Sequence, residues 1–233
     1  MSFWDTIYRP KTIEELCSYD GLVKQLRVFE KDKDFPNLLL NGFTGTGKTT
    51  IARILGSVSG FDVKEINCNE MREKKEIQKL AKPPNSLMFL SGGRKDLVIL
   101  DEFHLWAHKD QMLFSKVMED YSEQIKYILC VNDLDKVAKP IQSRCRVLPT
   151  DVGFVDEKKD TFEMMPHANM SVDEWKKVLL NRAVVLAEKD KEKGLIKSYS
   201  TTAIEELLER PVYLGDIRTF LRGVQQQIKM DEL

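Results

Sequence analysis

The chain has 233 residues with 36 Lys and Arg against 37 Asp and Glu, so its net charge of −1 excludes nucleic-acid binding by bulk charge and leaves only a local basic face or several pooled subunits for that task. A composition of 42% hydrophobic and 31% charged residues suits a globular protein with a core, and no apolar run approaches a membrane span. The start Met1-Ser2-Phe3-Trp4-Asp5 lacks the basic-then-apolar pattern of a secretion signal, and Cys17, Cys68, Cys130 and Cys145 are far apart with no C-x-x-C. Reduced thiols in a cytoplasmic protein are expected, or in a nuclear or host-cytoplasmic one for a viral chain.

In chain order, Trp4 and Tyr8 lie on a lead-in arm that Pro10 closes. Leu22, Val23, Leu26 and Phe29 keep helical spacing over 21–31, and 37–41 reads as a buried strand. A helix over 50–55 closed by Gly56 follows, then a strand at 63–67 and a charged helix over 71–81 that Pro83-Pro84 terminates. Apolar runs at 97–100 and 127–131 read as strands flanking a helix over 110–121, with Leu113, Phe114, Val117 and Met118 inward. A short helix from Lys139 and a strand at 146–148 complete the set. Short strands alternating with helices predict a five-stranded parallel sheet covered on both faces.

After Pro149 the pattern changes. Residues 151–170 have no clear period and read as a linker or insertion. Ser171-Val172-Asp173-Glu174 is a capping box opening a long helix with Trp175, Val178, Leu179, Ala183 and Leu186 on its apolar side. Two further helices, from about Thr201 and from Asp216, complete a small helical domain. The expected division is an α/β domain over 1–150, the linker or insertion, and a helical lid over 171–233.

The chemistry starts at Gly42-Phe43-Thr44-Gly45-Thr46-Gly47-Lys48-Thr49, which fits G-x-x-x-x-G-K-[ST] between an apolar strand and a helix start. In that context the glycines let backbone N–H groups wrap a phosphate, and the helix N-terminus adds partial positive charge. Lys48 would reach the β- and γ-phosphates, and the Thr49 hydroxyl would ligate Mg²⁺. The strand 97–100 runs into Asp101 and Glu102. Beside a P-loop, Asp101 holds the Mg²⁺ shell and Glu102 orients and deprotonates the attacking water. Asn132 ends another apolar strand, where it serves either that water or simple turn chemistry. Arg144 is tied to no obvious local acid.

Tyr8-Arg9-Pro10, Gly42 to Thr49, Asp101-Glu102, Asn132, Ser143-Arg144-Cys145 and Gly215-Asp216-Ile217-Arg218 occur in this order. In that order they resemble an AAA+ ATPase of the DNA-polymerase sliding-clamp loader family, the replication factor C small subunits and their T4-like phage equivalents. The likeness covers nearly all of the chain. Its specific parts are the Tyr-Arg-Pro arm, Ser-Arg-Cys and Gly-Asp-Ile-Arg, since the P-loop and the acidic strand end belong to many families. The resemblance implies ATP and Mg²⁺ as ligands, with Thr44 to Thr50 around the phosphates and Tyr8, Arg9 and Pro10 bordering the adenine. It makes Asn132 sensor 1, Arg144 an arginine finger acting on a neighbouring subunit's ATP, and Arg218 the sensor 2 of the lid. Arg72, Lys74, Lys75 and Lys79, interleaved with Glu70, Glu73 and Glu76, would meet the backbone of primer-template DNA. The implied partners are other clamp-loader subunits in a ring, a sliding clamp and primed DNA, with no membrane. The family's further helical collar, of roughly a hundred residues, has no counterpart after Arg218. A branch-migration or helicase-loading ATPase and a nucleotide-binding subunit without hydrolysis are the other readings.

Overall fold

Apolar runs too short for helices become the strands of one parallel sheet. The computed structural model describes residues 3–70 and 96–231. Strands β1 (Leu38–Asn41), β2 (Asp62–Asn67), β3 (Asp96–Asp101), β4 (Ile125–Val131) and β5 (Arg146–Pro149) pair in the order β2-β3-β4-β1-β5. All four pairings are parallel, as the alternation of strands and helices predicts. β1, β3 and β4 are apolar almost throughout because both of their faces are covered. β1 lies between β4 and β5, where the strand order reverses. In open parallel sheets, that reversal at the carboxyl ends of the strands is where ligands bind.

The helices, in chain order, are α1 (Trp4–Ile7), α2 (Asp20–Asp32), α3 (Lys48–Ser59), α4 (His108–Asp120), α5 (Lys139–Gln142), α6 (Val172–Glu192), α7 (Thr201–Leu208), α8 (Pro211–Gly215) and α9 (Ile217–Asp231). Two compact units result. One, the sheet unit, comprises Gln25–Gly42 and Lys48–Pro149; the other, the helical unit, comprises Met1–Lys24, Phe43–Gly47 and Thr150–Leu233.

The core of the sheet unit joins Leu39, Val98, Leu100, Leu129 and Val131 to an aromatic cluster. Phe103 meets Trp106 at 5.2 Å and Phe114 at 5.7 Å between ring centres, and Phe114 stands edge-on to Tyr127 at 5.1 Å. Each such side chain contributes about 1.5–3 kcal/mol by leaving water, with a further increment for the ring geometry. This cluster fixes the turn that follows β3.

Gly56 is not a helix stop. α3 runs through it to Ser59, and Gly60, with φ +72°, supplies the left-handed residue at the end. A Cβ on Gly56 would come within 2.9 Å of Val63 Cγ2 and 3.2 Å of Leu97 Cδ2. The glycine lets the P-loop helix lie close against β2 and β3. Leu113, expected inward on α4, is 41% exposed, whereas Phe114 and Met118 are buried. On a helix, consecutive positions turn about 100° apart, so Leu113 and Phe114 cannot both face the core.

The helical unit packs Trp4, Trp175, Leu179, Leu186, Phe220 and Val224 into its interior. Trp4, expected on a bare arm, is fully buried on α1; its backbone N–H donates to Gln225 Oε1 (3.1 Å) and its indole N–H to Asp190 Oδ2 (2.6 Å). The stretch 151–170 holds an antiparallel hairpin, β6 (Gly153–Asp156) with β7 (Thr161–Met164), and a 3₁₀ turn at Pro166–Ala168. The capping box at Ser171 and Glu174 forms in full.

Candidate functional site

β1 delivers Gly42 to the carboxyl edge of the sheet, and α3 begins six residues later at Lys48. The reversal between them needs left-handed backbone, which Gly45 (φ +81°) and Gly47 (φ +88°) provide. Lys48 is 8% exposed, and its ammonium donates to the Gly42 carbonyl at 2.8 Å. The Thr49 hydroxyl donates to Asp101 Oδ2 at 2.7 Å, joining the first turn of α3 to the end of β3. Thr50 lies half-buried beside it. A hydroxyl and a carboxylate in contact at a phosphate loop form a hard-oxygen pair that fits Mg²⁺, an ion held by one or two protein oxygens while phosphates and water fill the rest.

Asp101 Oδ1 accepts the backbone N–H of Glu102 at 3.0 Å. Glu102 itself adopts φ +56°, left-handed backbone that costs a non-glycine residue about 1 kcal/mol. The 3₁₀ turn Phe103–Leu105 follows at once, with Leu105 N–H donating to the Glu102 carbonyl (2.9 Å) and Phe103 wholly buried. Asn132 stands exposed one residue beyond β4, and its backbone N–H donates to His104 Nδ1 at 3.4 Å. Burial holds the His104 imidazole below its usual range, more than offsetting the nearby Glu102 carboxylate.

Sequence reasoning passed over two polar side chains, Gln111 at this edge and Glu119 at the opposite, amino-terminal ends of the strands. Gln111, 1% exposed, donates to the carbonyls of Trp106 (2.9 Å) and Lys136 (3.0 Å) and accepts from Ala138 N–H (2.8 Å). It stitches the turn after β3 to the segment after β4. Glu119 accepts from Arg144 Nη2 at 2.6 Å, while Arg144 Nη1 donates to the Pro140 carbonyl at 2.9 Å. Arg144 therefore does have a local acid, one that lies 25 residues away in sequence. Its side chain remains 34% exposed. Glu119 carries no motif; only helix phase, given the register of α4, places it near Arg144.

The helical unit holds the other expected residues. Thr44 is exposed, and Thr46 Oγ1 donates to the Phe43 carbonyl (2.8 Å) and meets Thr150 Oγ1 at 2.8 Å. A Cβ on Gly45 would fall 1.8 Å from Asp216 Oδ1, so the Gly215-Asp216-Ile217-Arg218 segment lies directly against the loop apex. Asp216 caps α9, accepting from the N–H groups of Arg218 (2.8 Å) and Thr219 (3.2 Å). Arg218 is half-exposed, its Nε 3.8 Å from Asp5 Oδ2, and Arg222 grips Asp5 through two bonds of 3.0 and 2.9 Å. Tyr8 donates its hydroxyl to Asp190, receives Lys193 Nζ at 2.9 Å, and offers its carbonyl to Arg182 at 2.8 Å. Burial and the bond to Asp190 together raise the Tyr8 phenol above its ordinary range. Arg9 and Pro10 are half-buried after it. Arg72, Lys74, Lys75 and Lys79 lie outside the described residues.

Residues 38–149 match the model of the AAA family, "ATPase family associated with various cellular activities", and the fold is of the AAA P-loop type. Within that class the chain is similar to replication factor C small subunits. It is 34% identical over 149 residues to the one from Thermofilum pendens, covering 62% of this chain and 46% of that protein. It is 32% identical over 149 residues to the one from Staphylothermus marinus, covering 62% and 45%. Replication factor C subunit 4 of Schizosaccharomyces pombe shares 29% identity over 151 residues, again 62% of this chain and 44% of that one. The matched stretch spans slightly less than half the length of these curated relatives. The solved Thermotoga maritima RuvB Holliday junction branch migration motor superposes with a TM-score of 0.65 at 18% identity, covering 96% of this chain and 67% of that one, a likeness of fold alone. No helix among the described residues is long and apolar enough to cross a membrane.

Proposed function

We propose that this chain is an ATPase subunit of a clamp-loader-like ring, hydrolysing ATP to place a sliding clamp on primed DNA. The observation that carries the ATPase part is the 2.7 Å contact between Thr49 Oγ1 and Asp101 Oδ2 directly beside Lys48 and Glu102. It brings a metal-holding pair, a phosphate cation and a carboxylate base to one sheet edge. Backbone N–H groups at the start of α3 and the Lys48 ammonium hold the triphosphate tail. Bound Mg²⁺, held through Thr49 and Asp101, would supply charge neutralisation at the triphosphate. Glu102 takes a proton from water as its oxygen attacks the γ-phosphorus, and ADP leaves with its bridging oxygen. Asn132 orients that water from the end of β4.

Arg144 serves a neighbouring subunit's nucleotide, where an arginine stabilises the spread charge of phosphoryl transfer. Its pairing with Glu119 does not forbid this. The bridge is largely solvent-exposed, and such pairs contribute about 1 kcal/mol or less, far below what a transferring phosphoryl group offers a guanidinium. The relatives bear the name replication factor C, which supports the clamp-loading reading over branch migration, for which only a likeness of fold speaks.

The test is ATP turnover of the purified chain, alone and with partner subunits, clamp and primed DNA, beside Glu102→Gln. Stimulation by clamp and DNA that Glu102→Gln abolishes is expected. Nucleotide binding with no turnover in any combination would leave a non-hydrolysing nucleotide-binding subunit.

A further inference from the structure

We propose that His104 is a positioning residue that locks the last peptide of β4 to the carboxylate turn after β3 and so sets where Asn132 stands relative to Glu102. This rests on the ATPase reading above and adds to it a side chain that touches neither substrate nor metal.

The peptide unit joining Val131 to Asn132 is held at both ends. Its carbonyl accepts from the N–H of Gly42, the first residue of the phosphate loop, at 3.2 Å. Its N–H donates to His104 Nδ1 at 3.4 Å. One peptide plane thus links the phosphate loop, through Gly42, to the turn that carries Glu102, through His104. Rotation of that plane would redirect the Asn132 side chain, because the plane sets the ψ of Val131 and the φ of Asn132. The anchor on the His104 side is rigid. Phe103, the preceding residue, is fully buried between Trp106 and Phe114, and Glu102 is pinned in left-handed backbone.

The bond requires an unprotonated Nδ1, with the imidazole proton on Nε2. The charged groups facing His104 are Glu102 on its own turn, Lys48 on α3, and Lys136 and Asp133 beyond β4. Burial and the two lysines favour the neutral ring over the two acids, so the acceptor is present at neutral pH. In acid, a protonated ring would set one N–H against another and release the peptide.

The side-chain oxygen of asparagine sits one bond past Cγ, where Nδ1 sits in histidine, and it does not titrate. His104→Asn therefore separates acceptor from ionisable ring, and His104→Ala removes both. In the assembled ATPase, His104→Ala is expected to lose about tenfold in kcat, the equivalent of one ordinary hydrogen bond, with KM for MgATP unchanged. His104→Asn should keep the wild-type kcat and lose part of the acid limb of the pH profile. Independently of turnover, histidine labelled with ¹⁵N should report a neutral, Nε2-protonated ring for His104, one of only three histidines. Hydrogen exchange of the Asn132 amide should accelerate in His104→Ala but not in His104→Asn. An Asn variant as slow as the Ala variant, an Ala variant with unchanged kcat, or an Nδ1-protonated ring would overturn this role alone. A wild-type assembly that turns over no ATP would overturn the ATPase reading with it.

Discussion

The two units spend their polar side chains differently. In the sheet unit, Lys48, Thr49, Asp101, Glu102 and Asn132 gather at the carboxyl edge of strands whose interiors are apolar, and the bonds they make are short links within that edge. In the helical unit, Tyr8, Asp190, Arg182 and Lys193 bond one another, and Asp5 binds Arg222 with Arg218 beside it. On the ATPase reading, replacing a polar residue of the first kind costs chemistry more than structure. One of the second kind is structural before it is anything else.

Substitutions can break that contrast. Glu102→Gln should lower turnover by about 10²–10⁴-fold, the ordinary worth of a general base, while equilibrium binding of a fluorescent ATP analogue and the melting temperature stay put. Loss of binding or folding in that variant would contradict the division. Asp190→Ala, in contrast, strands the buried Trp4 indole N–H and removes the acceptor of the Tyr8 hydroxyl. It should cost about 3 kcal/mol, or about 6–12 °C in Tm for a chain of this size, with turnover intact at low temperature; calorimetry beside an ATPase assay decides. Gly45→Ala belongs to both classes. Its Cβ would collide with Asp216 and must accept φ +81°, so a Tm several degrees lower and weaker nucleotide binding should appear together, and Asp216→Gly should recover part of each.

Smaller effects sharpen the picture. Burial pushes the Cys17 thiol up to about 11 and the Cys145 thiol up to about 12, against an ordinary 9.0. A folded-state pKa raised in this way means that the native chain holds protons the unfolded chain releases. Stability should be level below pH 9 and decline from there through pH 11 to 12, which urea midpoints measured across that range would reveal. The smallest change is Glu119→Gln, which should alter stability by less than about 1 kcal/mol. If Arg144 acts across a subunit boundary, the same variant should leave or raise the turnover of the assembly, whereas Arg144→Ala should depress it.

How legible each part was follows from range. The P-loop, the acidic strand end and the central strands were readable because local chemistry dictates them: apolar runs must be buried, and a phosphate loop needs glycine at fixed offsets. Gly56 was misread because a glycine near a helix end signals both a cap and a close approach; only the distance to Val63 and Leu97 separates these. Residues 151–170 hid a hairpin because two four-residue strands are too short to show alternation. Glu119, Gln111 and Asp190 were invisible for another reason. Except for the Trp106 carbonyl that Gln111 also reaches, the side-chain partners named for them are 25 to 186 residues away, and no spacing rule reaches across a fold.

The backbone at Glu102 carries a last consequence. Asparagine is far more at ease than glutamate in a left-handed conformation, so Glu102→Asn should melt higher than the parent while turning over almost nothing. Selection for robustness alone would discard this glutamate, and the proposed role in activating water gives a reason for a chain to accept a weaker fold at this position.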